Sequence, residues 1–133
     1  MRRIIILGLS LAALLTMPSP SRALDLNSFR AQHKRPALAV SGMLSGIATS
    51  HARDLANRKR LDHAGFRQRR DISAGTAAEN VAFGCPDEDC VIKMWARSGG
   101  HRANMLRRDV TSYGLASATA DNGRRYWVLE LGN

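Results

Sequence analysis

Three polar residues set among apolar neighbours carry the chemical interest of this chain: His63, Glu79 and His101. Neutral imidazoles are good ligands for zinc or another divalent cation, and a carboxylate beside them can orient a metal-bound water. The same residues also have structural roles open to them. Glu79 and Asn80 can hydrogen-bond backbone groups in a tight turn, Arg102 and Asn104 can fasten the loop that follows, and His63 can cap a helix. No catalytic residue is assigned, because nucleophile, base and oxyanion donor do not occur as a set. The chain has no H-E-x-x-H helix, G-x-S-x-G elbow, phosphate-binding Gly-rich loop or dinucleotide fingerprint, so a function carried by one local motif is excluded. Only a fold can bring the three residues together.

The elements that must do so can be read from periodicity. Leu26 to Lys34 has the spacing of a short helix that stops ahead of Pro36. From Ser41 to Leu61 the positions Leu44, Ile47, Ala48, Ala52, Leu55 and Ala56 recur every three or four residues, which predicts the longest helix. His51 lies on or beside that stripe and reads as a core histidine whose ring nitrogens find partners. Residues 64–78 lack periodicity and read as a long polar loop. Residues 78–84 form a short extended segment or turn. Asp87 to Arg97 is helical again, with Glu88 and Asp89 favouring the positive end of the helix dipole. Ser98 then serves as N-cap of a further helix, which places His101 in its first turn. Tyr113 to Ala120 and Arg124 to Leu131 read as two strands joined through Asn122-Gly123, a pair suited to a tight hairpin turn. Helices followed by an antiparallel hairpin make an α+β chain, without the repeated βαβ units of a parallel doubly wound sheet.

Compartment follows from the N-terminus and the cysteines. Met1-Arg2-Arg3, the apolar run Ile4 to Leu15 and the small residues Ser21 and Ala23 read as a signal peptide cleaved after Ala23, with residues 24–133 forming a single domain. The apolar run is too short to span a bilayer, and no transmembrane segment is expected in the processed chain. In a secreted or periplasmic protein the two cysteines, Cys85 and Cys90, are most simply a structural disulfide; half of a zinc site lacks a second ligand pair at the right spacing.

The formal net charge is +9, with clusters at Arg58-Lys59-Arg60 and at Arg67, Arg69 and Arg70. An exported protein meets little nucleic acid, and neither a ribonucleoprotein motif nor zinc-finger spacing accompanies the charge, so nucleic acid is not expected as a partner. A solvated face, or contact with anionic envelope polymers, remains.

The segments Leu61-Asp62-His63-Ala64, Ala78-Glu79-Asn80-Val81-Ala82 and Trp95 through Leu106, followed by Tyr113-Gly114-Leu115-Ala116 and Tyr126-Trp127, resemble the bacterial branch of the CAP superfamily, also called the SCP domain family, over about Leu26 to Gly132. That resemblance implies an α-β-α sandwich with a small antiparallel sheet covered by helices on both faces. It also implies a shallow cleft bearing two histidines and two glutamates, three of which fall on His63, Glu79 and His101. The second glutamate position is Ser98 here, which removes charge and a proton acceptor. Gly99 stands where bacterial relatives usually have proline, and the stretch between His63 and Glu79 is shorter than in many of them.

The leading expectation is therefore an exported CAP-domain protein whose cleft binds a divalent metal such as zinc, an apolar molecule such as a lipid or sterol-like compound, or an envelope component, without turnover. The alternatives are a zinc-dependent hydrolase using His63, His101 and Glu79, and a basic surface protein that binds anionic polymers.

Overall fold

The computed structural model describes residues 22–72 and 75–133, and the signal-peptide segment up to Ser21 lies outside them. The elements run α1 (Leu26–Gln32), β1 (Ala39–Val40), α2 (Gly42–Arg58), α3 (Phe66–Ile72), β2 (Thr76–Phe83), α4 (Glu88–Ala96), α5 (Gly99–Met105), β3 (Ser112–Thr119) and β4 (Arg125–Gly132). Side-chain caps start three of the helices. Asp25 accepts from the Ser28 N–H, Ser41 from Leu44 and Asp87 from Cys90, each satisfying a donor that the first helical turn leaves open. Ser98 occupies the N-cap of α5 but makes no side-chain cap hydrogen bond, so that helix starts on backbone geometry alone.

The sheet order is β1-β3-β4-β2, with β2 at one edge. β4 runs antiparallel to both its neighbours, β2 and β3, while the two-residue β1 pairs in parallel with β3, so the antiparallel sheet is mixed at one margin. Strand alternation sends side chains to two faces. Ala78, Ala82, Trp127, Leu129 and Leu131 pack with α1, α4 and α5 through Leu26, Phe29, Val91, Ile92, Trp95 and Met105. Val81, Tyr126 and Val128 pack against Ala48, Ala52, Leu55 and Ala56 of α2. Helices thus cover both faces, the sandwich that the resemblance implies. At its closest, α2 lies so near β3 that a Cβ on Gly114 would stand 2.2 Å from the Leu44 carbonyl carbon and the Ser45 nitrogen.

Two expectations are corrected. Residues 66–72, read as polar loop, form α3; its polar residues surround it, so no apolar stripe signals a helix. In the hairpin only Gly123 has a positive φ, at 81°, and Asn122 does not. The Gly123 N–H donates to the Ala120 carbonyl, and the Asn122 side chain accepts from the Arg124 N–H, which makes a longer loop than a two-residue turn.

Cys85 and Cys90 are joined in a disulfide, with Cα atoms 5.5 Å apart, clamping the turn between β2 and α4. Leu24 and Leu26 donate backbone N–H groups to Asp89 and Glu88, which fastens the start of the domain to α4.

Candidate functional site

The edge strand β2 presents consecutive polar residues to opposite faces. Glu79 turns toward α2 and Asn80 toward α5, and both are buried. His63, on the segment leaving α2, reaches Glu79: its Nδ1 lies 2.8 Å from Glu79 Oε1. A carboxylate accepts, so Nδ1 carries the proton and donates, leaving the Nε2 lone pair free in the neutral ring. The His63 side chain is 53% exposed while Glu79 is sealed, so the oriented imidazole faces outward from a buried anchor.

Glu79 has further partners. Arg69 of α3 donates from Nε to Glu79 Oε2 at 2.9 Å, and His51 Nε2 stands 3.6 Å from Oε1 while lying 3.2 Å from the Asp62 carbonyl. Directly across the β2–β4 ladder stands Glu130, fully buried, with Arg69 Nε 3.4 Å from its Oε1. Among the described residues, neither Glu130 oxygen has a hydrogen-bond partner of ordinary geometry. Two facing carboxyls can hydrogen-bond only if one keeps its proton, and burial together with the neighbouring Glu79 charge pushes Glu130 up to about 9. Burial works against ionisation of Glu79 too, but hydrogen bonds from Glu130 and His63 and the Arg69 charge outweigh it and hold Glu79 below the usual glutamate value. At neutral pH the pair therefore carries one negative charge, on Glu79.

On the other face, Asn80 Nδ2 donates to the His101 carbonyl at 3.0 Å, and Asn104 Nδ2 donates to Asn80 Oδ1 at 2.9 Å. These two amides hold α5 against β2, and with it the His101 ring, whose centroid is 6.4 Å from that of Trp95. Trp95 is pinned in turn through Nε1 to the Val81 carbonyl. Burial, and the nearby positive charge that a protonated His63 carries, lower the proton affinity of His101. Burial likewise keeps His51 neutral despite Glu79. Arg102 points elsewhere: it donates to His33 Nε2 at 2.8 Å and lies over the Phe29 ring, tying α5 to α1.

A depression of about 320 Å³ opens beside these groups, lined by His63, Phe66, Ala77, Ala78, Glu79, Asn104 and Arg107. The fold thus brings His63 into direct contact with Glu79 and sets His101 across the strand from them, without a bond to either. Among the described residues no group of three or more His, Cys, Asp or Glu side chains is placed to hold one metal ion. His63 lines the depression and His101 does not, and Glu79 orients the His63 ring through Nδ1. Sequence reasoning missed Arg69 and Glu130. Glu130 left a signal, a lone acid inside the apolar run Trp127-Val128-Leu129-Glu130-Leu131; Arg69 left none within its arginine-rich segment.

The basic clusters are largely compensated. Arg58 bridges Asp54 and Asp62, Arg60 lies 3.3 Å from Asp62, Lys59 pairs with Asp121, and Arg69 is committed to Glu79.

Residues 25–131 match the model of the cysteine-rich secretory protein family. The chain belongs to this family, known as CAP. An uncharacterized protein of Bacillus subtilis, YkwD, is 29% identical over 97 residues, covering 67% of this CAP chain but 38% of the relative. Among solved structures, an outer surface protein of Borrelia burgdorferi superposes with a TM-score of 0.68 at 15% identity, covering 81% of this chain and 86% of that one. A cysteine-rich secretory protein of Staphylococcus aureus gives 0.61 at 24% identity, covering 80% and 35%. An extracellular SCP-domain protein of Bacillus anthracis gives 0.59 at 18%, covering 79% and 37%. These structural likenesses establish the shared fold. The chain spans well under half the length of the two Bacillus proteins and the staphylococcal one. Among its described residues, no helix is long and apolar enough to cross a membrane.

Proposed function

We propose that this CAP domain is an exported binding domain, secreted or periplasmic after loss of residues 1–23, whose cleft at the β2 edge engages its ligand through His63 and His101. The ligand is a divalent cation such as zinc, or an apolar or envelope molecule bearing a group that an imidazole can bind. The observation that carries this reading is the 2.8 Å hydrogen bond from His63 to buried Glu79, which fixes one ring nitrogen and turns the other toward solvent. Binding without turnover is favoured because Glu79 is engaged at both oxygens, by His63 and Arg69, and its side chain is sealed from solvent. Ser98 supplies no second carboxylate.

Calorimetric titration of zinc into the metal-free chain at neutral pH, in parallel with His63→Ala and His101→Ala, tests the reading. One-to-one binding lost in both variants supports it. No binding to a folded chain sinks the metal form and leaves apolar ligands to be titrated next. Turnover of an ester or peptide abolished by both Glu79→Gln and a chelator would replace the binding reading with a hydrolase.

A further inference from the structure

Away from the cleft, a second pocket of about 380 Å³ has Arg30, Lys34, Arg35, Pro36 and Arg108 in its lining. Four of these residues are cationic and none is acidic. Arg30 lies beneath, 1% exposed. Its Nε donates to the Pro36 carbonyl at 2.9 Å, and its Nη1 to the Met105 and Arg107 carbonyls at 2.8 and 3.0 Å. Nη2 has no acceptor among the described residues, and no carboxylate pairs with this guanidinium. A buried cation is costly unless an opposite charge answers it, and Arg30 is answered only by carbonyl dipoles.

The rim adds charge instead of removing it. Arg35 donates Nε to the Leu106 carbonyl at 2.9 Å, which leaves its other nitrogens open. Lys34 and Arg108 are exposed and make no ion pair among the described residues; the nearest acid in sequence, Asp109, is taken by Arg107. Lys34 also sits at φ 55°, one residue beyond the α1 C-cap, a left-handed position that glycine occupies at lower cost. A lysine is thus held in strained backbone at the mouth of a pocket that already contains a buried, unmatched cation. Lys59, at φ 50°, takes a similar left-handed position at the end of α2, where it pairs with Asp121, whereas Lys34 has no acidic partner among the described residues.

We propose that this pocket is an anion site for a phosphomonoester-type group, with the Arg30 and Arg35 guanidinium groups at its base and Lys34 and Arg108 at its mouth. A tetrahedral oxyanion of charge near minus two matches several convergent donors and supplies the missing counter-charge. The site is separate from the histidine cleft and does not rest on the function proposed for it.

The test is calorimetric titration of inorganic phosphate into the full chain at constant ionic strength, alongside vesicles containing phosphatidic acid in phosphatidylcholine. The chain is compared with a Lys34→Gly/Arg108→Ala double variant and with Arg67→Ala/Arg70→Ala, which removes two exposed arginines away from the pocket. Saturable binding weakened about tenfold or more in the pocket variant and unchanged in the control supports the proposal. Comparable affinity for phosphate and vesicles identifies a soluble ligand, and vesicle binding tighter by about tenfold identifies a lipid headgroup. Phosphate should also raise the melting temperature of the parent chain, as a ligand bound only by the folded state does. Lys34→Gly alone should melt higher than the parent without phosphate yet bind phosphate less tightly, a split that a purely structural lysine does not produce. Equal weakening in both double variants, or no saturation by roughly 10 mM phosphate, overturns the proposal.

Discussion

The molecule buries charge in two places and solves the problem differently in each. On the α2 face of the sheet, Arg69 stands between Glu79 and Glu130, with His63 and His51 around them. Apart from Arg69, these are groups that can change protonation to suit their neighbours, and Glu130 does so by keeping its proton. Beneath the second pocket, Arg30 is a cation that does not deprotonate in proteins, faced among the described residues by carbonyl oxygens alone. The first cluster contains a spare acid that can ionise when a partner is lost. The second contains no such reserve, so its charge is answered by dipoles or by something bound.

Substitutions break or sharpen this contrast, beginning with the least protected group. Arg30→Ala strands three carbonyls and leaves a cavity, and should cost about 3–5 kcal/mol in urea unfolding. A loss under about 1 kcal/mol would erase the distinction between the clusters. Cys85→Ser with Cys90→Ser lies outside both and provides a yardstick. Its short loop implies a loss of about 2 kcal/mol, to be read from the same unfolding curves.

Glu79→Gln should cost only about 1–2 kcal/mol, because Glu130 can ionise and take over Arg69. A loss as large as that of Arg30→Ala would show that the spare acid is not used. Glu130→Gln probes the same reserve through pH. In the folded chain Glu130 holds its proton up to about 9, against an ordinary value of 4.5. Between those values the unfolded chain has released the proton and the folded one has not, so the Glu130 contribution to stability falls as pH rises and levels off above about 9. Relative to Glu130→Gln, the parent should lose stability steadily from pH 5 to 9. Glu79 acts in the opposite sense, its contribution being lost as pH falls through its lowered value, below the window in which the two proteins are compared. Parallel stability profiles for parent and variant would remove the proton from Glu130. The smallest effect belongs to Lys34→Gly, which should raise stability by at most about 1 kcal/mol by relieving the left-handed backbone.

How far the sequence revealed all this depends on what each element leans on. α2 shows itself because one face is packed on the sheet and the other is wet, and Trp95 and Val91 mark α4 for the same reason. The β3–β4 hairpin was visible in its alternation and its Asn-Gly turn, although the turn geometry differs. β1 was not visible, since two exposed residues become a strand only through the β3 edge beside them. α3 escaped because the contact of its Arg69 with Glu79 is polar and leaves no apolar periodicity. His63, Glu79 and His101 stood out as polar residues among apolar neighbours and the resemblance grouped them in one cleft, but their placement on opposite sides of β2 required the register. Glu130 was the avoidable omission, because a single acid in an otherwise apolar strand has to be answered by something nearby.

The close approach at Gly114 bears on motion. Layers that meet through side chains can slide by small changes of rotamer. At Gly114 the α2 backbone lies directly against that of β3, with no side chain between them to readjust, so helix and sheet are coupled rigidly at this point. Arg69 reaches the sheet at Glu79 of β2 and at Glu130 of β4, and His63 reaches it at Glu79, so α3 and the segment after α2 are tied to that same rigid pair of layers.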